Sequence, residues 1–107
     1  MVKKMIITTT NSISGKNISI IGIVEGATVQ TKHVGRDFMA GLKNLVGGEL
    51  KGYTEMMNEA RSIARQRMID NATQLGADAV IGFEYMSSEV AQGAAEVVAY
   101  GTAVKFV

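Results

Sequence analysis

The stretch Gly52–Gly76, GYTEMMNEARSIARQRMIDNATQLG, decides the architecture. At about 100° per residue, Tyr53, Met56, Met57, Ala60, Ile63, Ala64, Met68, Ala72 and Leu75 fall on one broad arc. Glu55, Asn58, Ser62, Arg65, Gln66 and Thr73 fall largely opposite. An apolar stripe of that width predicts one long amphipathic helix lying on a sheet. Gly76 follows the last apolar position and suits the left-handed residue that ends helices. The methionines give that face a deformable packing surface, which reads as core rather than as a ligand box. Arg67 and Asn71 project from inside the apolar arc, Gln74 lies at its edge, and Ile69 points from the polar back. A guanidinium is costly to bury unpaired, so Arg67 requires a carboxylate or carbonyl from outside the helix. Arg61 and Glu59 have no opposite charge three or four residues away. They are either solvated or paired with a neighbouring subunit.

The rest of the chain supplies the sheet. With 107 residues, a single domain spanning 1–107 with one modest core is expected. Met5 to Thr10 is a short β-prone run, and NSISGKN from Asn11 to Asn17 is a turn cluster. Ile18 to Val24 is the next strand, apolar on both faces and so covered on both sides. Gly22 and Gly26 interrupt it, which implies a bulge or the close approach of another backbone. Ala27 to Arg36 is a strand extension or a loop. Asp37 is placed to cap a short helix through Phe38, Met39, Leu42, Leu45 and Val46. Gly47-Gly48 breaks that helix, and Glu49 opens the long one. Asp78 to Met86 reads as a buried strand, Ser87 to Ala94 as a loop or hairpin turn around Gly93, and Ala95 to Val107 as the last strand.

That last strand has unequal faces. Its even positions are Glu96, Val98, Tyr100, Thr102, Val104 and Phe106; its odd ones include Ala99, Gly101 and Ala103. The small face lets the helix settle close. The bulky face is then left with only the short helix to cover it, and exposed apolar sheet of that size marks an interface. The chain is therefore expected to be a subunit of a symmetric homo-oligomer. The fold class is α+β, a small mainly antiparallel sheet with one long helix on one face and a short helix before it.

Composition excludes several functions. The formal net charge is +1 with no basic block, which argues against nucleic acid. There is no cysteine, hence no disulfide and no thiolate site for a soft metal. Lys3 and Lys4 precede too short an apolar run for a secretory core, and no run approaches a membrane span. A cytoplasmic protein with no membrane partner is expected. His33 is the only histidine, a poor zinc signal because zinc takes three or four clustered ligands. Gly47-Gly48 ahead of a helix lacks the spacing and the lysine of a phosphate-binding loop and reads as a helix–helix turn.

At this point the residues match a family. The segments GIVEG at Gly22–Gly26, VGGE at Val46–Glu49, Tyr53 with EAR at Glu59–Arg61, GADAVIG at Gly76–Gly82 and AYGTAV at Ala99–Val104 run nearly end to end. Together they resemble the small bacterial and archaeal YbjQ-like family, described as heavy-metal binding. The resemblance implies a β-α-β-β subunit of dodecin-like type that forms oligomers, commonly pentamers, through its sheets. With no cysteine and one histidine, any metal here would sit on oxygen ligands, which favour hard cations. Assembly could gather one carboxylate per subunit around an axis.

The sequence specifies no cofactor. It is compatible with an oligomeric binding module for a metal ion or small ligand at subunit interfaces, with a small enzyme that has an interfacial site, or with a purely structural or partner-binding oligomer. The enzyme is disfavoured, because no Cys–His or Ser–His constellation is present and the one histidine has no carboxylate near it in sequence. The candidate ligand-binding residues are Glu49, Tyr53, Arg61 and Tyr100, which could meet as an acid, hydroxyl donors and an anion clamp. The competing reading of the same four is a hydrogen-bonded brace between helix and sheet.

Overall fold

The structure is a computed structural model and describes residues 4–31 and 51–107, leaving the Lys51 side chain aside. The elements are β1 (Ile6–Ile7), β2 (Ile18–Thr31), α1 (Lys51–Gln74), β3 (Ala79–Ala91) and β4 (Ala94–Phe106). The strands lie in the order β1-β3-β4-β2. β1 runs parallel to β3, and the other pairings are antiparallel. This is the α+β arrangement expected, with a β-α-β-β core and one long helix on one face. The short helix expected at Asp37–Val46, together with His33, Gly47-Gly48 and Glu49, lies outside the described residues.

Several boundaries move, and of the run Met5 to Thr10 only Ile6–Ile7 is strand. β2 continues through Ala27 to Thr31, so the strand-extension alternative holds as far as that residue. Of the loop or hairpin turn expected from Ser87 to Ala94, the hairpin turn around Gly93 is present, but Ser87 to Ala91 is strand rather than loop. β3 runs on to Ala91, β4 begins at Ala94, and only Gln92 and Gly93 turn the chain. Polar residues such as Ser87 and Ser88 read as loop locally, yet here they pair with Val97 and Glu96 of β4. Ladder hydrogen bonds to a well-formed neighbour override a weak local preference.

The buried stripe of α1 is Met56, Ala60, Ala64, Met68 and Ala72, one residue every four. It is narrower than the predicted arc. Tyr53 is half-buried and Leu75 is 51% exposed, because the helix ends before Leu75 can reach the sheet. Gly76, with φ 77°, closes the helix. The Ala77 amide donates to the Ala72 carbonyl at 3.0 Å and the Gly76 amide to that of Thr73 at 3.0 Å, the two hydrogen bonds of a Schellman cap.

The stripe packs on the small face of β4, as the asymmetry predicted. Val97, Ala99 and Ala103 are fully buried with the helix alanines and Met68. The closest approach is to β2 at Gly26. A methyl group built there would overlap the Met68 nitrogen and the Ala64 oxygen and lie 2.8 Å from the Arg67 carbonyl carbon. The glycine is thus the seat of the helix backbone. Gly22 marks the other expected feature, a register shift between Ile20 and Gly22. Gly101 was expected to make room for the helix, but a Cβ there would meet Val80 Cγ1 at 2.6 Å and the Ile81 oxygen at 2.9 Å. Its space is needed by β3, where the β3–β4 register shifts between Ile81 and Glu84.

Among the described residues the opposite face of the sheet is only partly covered. At one end Val104, Ala79 and Ile81 are buried under Ile13 of the 11–17 turn, with Ile18 and Phe106 packed alongside. Elsewhere Ile20 is 70%, Ile23 81%, Val29 53% and Met86 58% exposed.

Candidate functional site

Tyr100 stands on that open face, because alternate residues of β4 point to opposite sides and Ala99 and Gly101 point to the helix side. Its hydroxyl donates to Glu84 Oε2 at 2.8 Å, a cross-strand neighbour in register. The hydrogen bond to that carboxylate, its negative charge and partial desolvation all hold the Tyr100 hydroxyl above its ordinary value of 10.0. Glu84 is a partner the sequence did not reveal, since pairing sixteen residues apart depends on the hairpin register.

Arg61 lies on α1 and therefore on the other side of the sheet. It is exposed, and its Nη1 donates to Asn58 Oδ1 at 2.9 Å, a neutral partner one turn back. Tyr53 sits half-buried near the start of the same helix. Glu49 lies outside the described residues. Within one chain the sheet thus separates Arg61 from Tyr100, so those two do not form a common cluster or a helix–sheet brace.

The two side chains that broke the apolar arc do find partners. Arg67 Nη1 donates to the Ala27 carbonyl at 2.8 Å, and Asn71 Nδ2 donates to that of Glu25 at 2.8 Å. Both acceptors belong to β2, which among the described residues is an edge strand whose outward carbonyls no neighbouring strand takes. The helix therefore reaches around the sheet margin and blunts it. This meets the requirement that Arg67 find a carbonyl from outside its own helix.

Grooves flank α1 on both sides. Beside β2 a groove of about 610 Å³ is lined by Glu25, Ala27, Arg67, Asp70, Asn71 and Glu96, among others. Beside β3 a groove of about 370 Å³ is lined chiefly by Arg61, Ser62, Arg65, Gln66, Ile69 and Tyr85. Among the described residues no three His, Cys, Asp or Glu side chains converge to hold an ion. The donor set in the described residues does not fit a soft heavy metal, which takes thiolate and imidazole. Among the described residues no helix is long and apolar enough to cross a membrane.

Residues 5–107 match the YbjQ family model described as "Putative heavy-metal-binding". A UPF0145 protein of Clostridium novyi is 61% identical over 94% of this chain and 98% of its own length. One of Thermotoga maritima is 59% identical over 94% and 96% respectively. Among solved structures, a protein of unknown function from Pediococcus pentosaceus, assigned to the DUF74 family, shares the fold at TM-score 0.65 and 21% identity. The match covers 96% of this chain and 98% of that one. The chain belongs to the YbjQ (UPF0145) family.

Proposed function

We propose that the protein is a homo-oligomeric binding module of the cytoplasm that holds a small ligand or metal ion where subunits meet. One observation carries this reading. The sheet face opposite α1 exposes Ile20, Ile23, Val29 and Met86 in a chain of modest core, and apolar surface of that kind marks an interface. The sheet edges support it. Beyond Phe83, whose amide donates to the Thr8 carbonyl at 3.0 Å, residues 84–91 of β3 are exposed throughout. Among the described residues they pair only with β4. A long unpaired edge without proline or lysine is a template for another strand. The open β3 edge set against a different surface of the next copy would be a heterologous contact, the kind that closes into rings. A ring of five is the copy number implied by the family resemblance.

A ligand site at such contacts agrees with a single chain whose grooves lie at its margins and whose described residues gather no metal ligand set. An enzyme is the weaker reading, because the sheet separates Arg61 from Tyr100. Native mass spectrometry of protein purified without chelator or affinity tag tests the proposal. A single closed oligomer carrying extra mass supports it. A clean oligomer without extra mass moves the function to a structural role, and a monomer overturns it.

A further inference from the structure

The groove between α1 and β3 has a chemistry of its own. Because α1 lies over β2 and β4 and barely reaches β3, the helix side of β3 beyond Gly82 is left open among the described residues. Tyr85 stands there, 40% exposed, with its ring held edge-on to Phe83 at 4.8 Å between centroids. Across from it Arg61 and Arg65 project from one flank of α1, one helical turn apart, with Ser62, Gln66 and Ile69 completing the walls. Its volume of about 370 Å³ falls within the range of small-molecule sites.

The charges on the two sides of the helix differ. The β2 groove holds Glu25, Asp70 and Glu96 against Arg67, which is already engaged by the Ala27 carbonyl. Among the described residues the β3 groove has no carboxylate in its lining. Among them too, Arg61 is bonded only to the neutral Asn58 amide, and Arg65 has no partner. Guanidinium groups a turn apart offer planar forks to the several oxygens of a phosphate. A fixed aromatic ring beside Ile69 offers an apolar wall to a flat ring system.

We propose that this groove binds a small phosphate monoester carried on a flat ring, with Arg61 and Arg65 on the phosphate and Tyr85 against the ring. The positive lining disfavours a bare metal cation. A nucleic-acid strand needs a longer basic track than two arginines. The residues of the site lie within one chain, and because Tyr85 also belongs to the β3 edge of the assembly proposed above, ligand binding and oligomeric state are read separately.

Isothermal titration calorimetry of the full chain at low salt, with AMP, adenosine and inorganic phosphate as probes, tests the proposal. AMP is expected to bind at least tenfold more tightly than either adenosine or phosphate. Arg61→Gln and Arg65→Gln should each weaken AMP binding by roughly tenfold, the loss of about one charge-assisted contact. Tyr85→Leu should weaken AMP while leaving phosphate unchanged. Circular dichroism checks that each variant folds. No binding of AMP at millimolar concentration, or equal binding by the variant lacking both arginines, overturns the proposal. So does a native mass in which the arginine variants lose subunits while any remaining chain binds AMP as before, because the arginines would then serve a subunit contact.

Discussion

Replacing Gly26 by alanine should loosen the helix from the sheet, and the size of the effect follows from the contacts at that point. A methyl group there would overlap the Met68 nitrogen and the Ala64 oxygen and approach the Arg67 carbonyl carbon to 2.8 Å. All three atoms are helix backbone, so no rotamer change relieves the clash and α1 must lift as a body. Overpacking a close contact costs about 1–3 kcal/mol, and a backbone clash belongs at the upper end. Lifting the helix also stretches the bonds from Arg67 to the Ala27 carbonyl and from Asn71 to the Glu25 carbonyl, each worth about 1 kcal/mol. Against this, removing a glycine reduces the entropy of the unfolded chain by about 0.4–1 kcal/mol. Combining these terms gives a net loss of about 4 kcal/mol. In urea, with a slope of about 2 kcal/mol per molar, the midpoint should fall by about 2 M. Both proteins must be compared at one concentration, since the proposed assembly would add to apparent stability. A midpoint shift of less than about 0.3 M would refute the close seating of α1 on β2.

Other expectations follow from the same contacts. Gly101→Val should cost about 1–3 kcal/mol by urea denaturation, because its side chain would be driven into Val80 and the Ile81 carbonyl; an unchanged midpoint would place Gly101 away from that bulge. Arg67→Ala and Asn71→Ala should each cost about 1 kcal/mol and speed amide exchange at the guarded edge of β2. Unchanged protection there would mean those side chains do not hold the strand. Tyr100 should titrate, by absorbance near the tyrosinate band, above the ordinary tyrosine value, and Glu84→Gln should bring it down. Its raised value favours the protonated hydroxyl in the fold, so the stability it supplies is present below the ordinary value and is lost as pH rises through the folded one. A tyrosine titration unaffected by Glu84→Gln would dissociate the two residues.

Periodicity and composition alone determined a good part of this protein. The spacing of Met56, Ala60, Ala64, Met68 and Ala72 announced the helix and its buried side, and Gly76 announced its end. The alternation along β4 announced which face would receive the helix. Gly26 was readable as a close approach, and Arg67 as a group in need of a carbonyl. These signals are local, since they depend on residues a few positions apart along one element. Only the tertiary structure decided which carbonyl Arg67 would find, that Tyr100 would bond to Glu84, and that Arg61 and Tyr100 would stand on opposite sides of the sheet. Each depends on strand order and register, which pair residues far apart in sequence. The same cause extended β3 through the polar Ser87 and Ser88, where backbone pairing with β4 outweighed side-chain preference. The placement of α1 over β2 and β4 left the β3 groove open. No residue of the helix encodes that offset by itself, because it is set by where Gly26 lets two backbones touch.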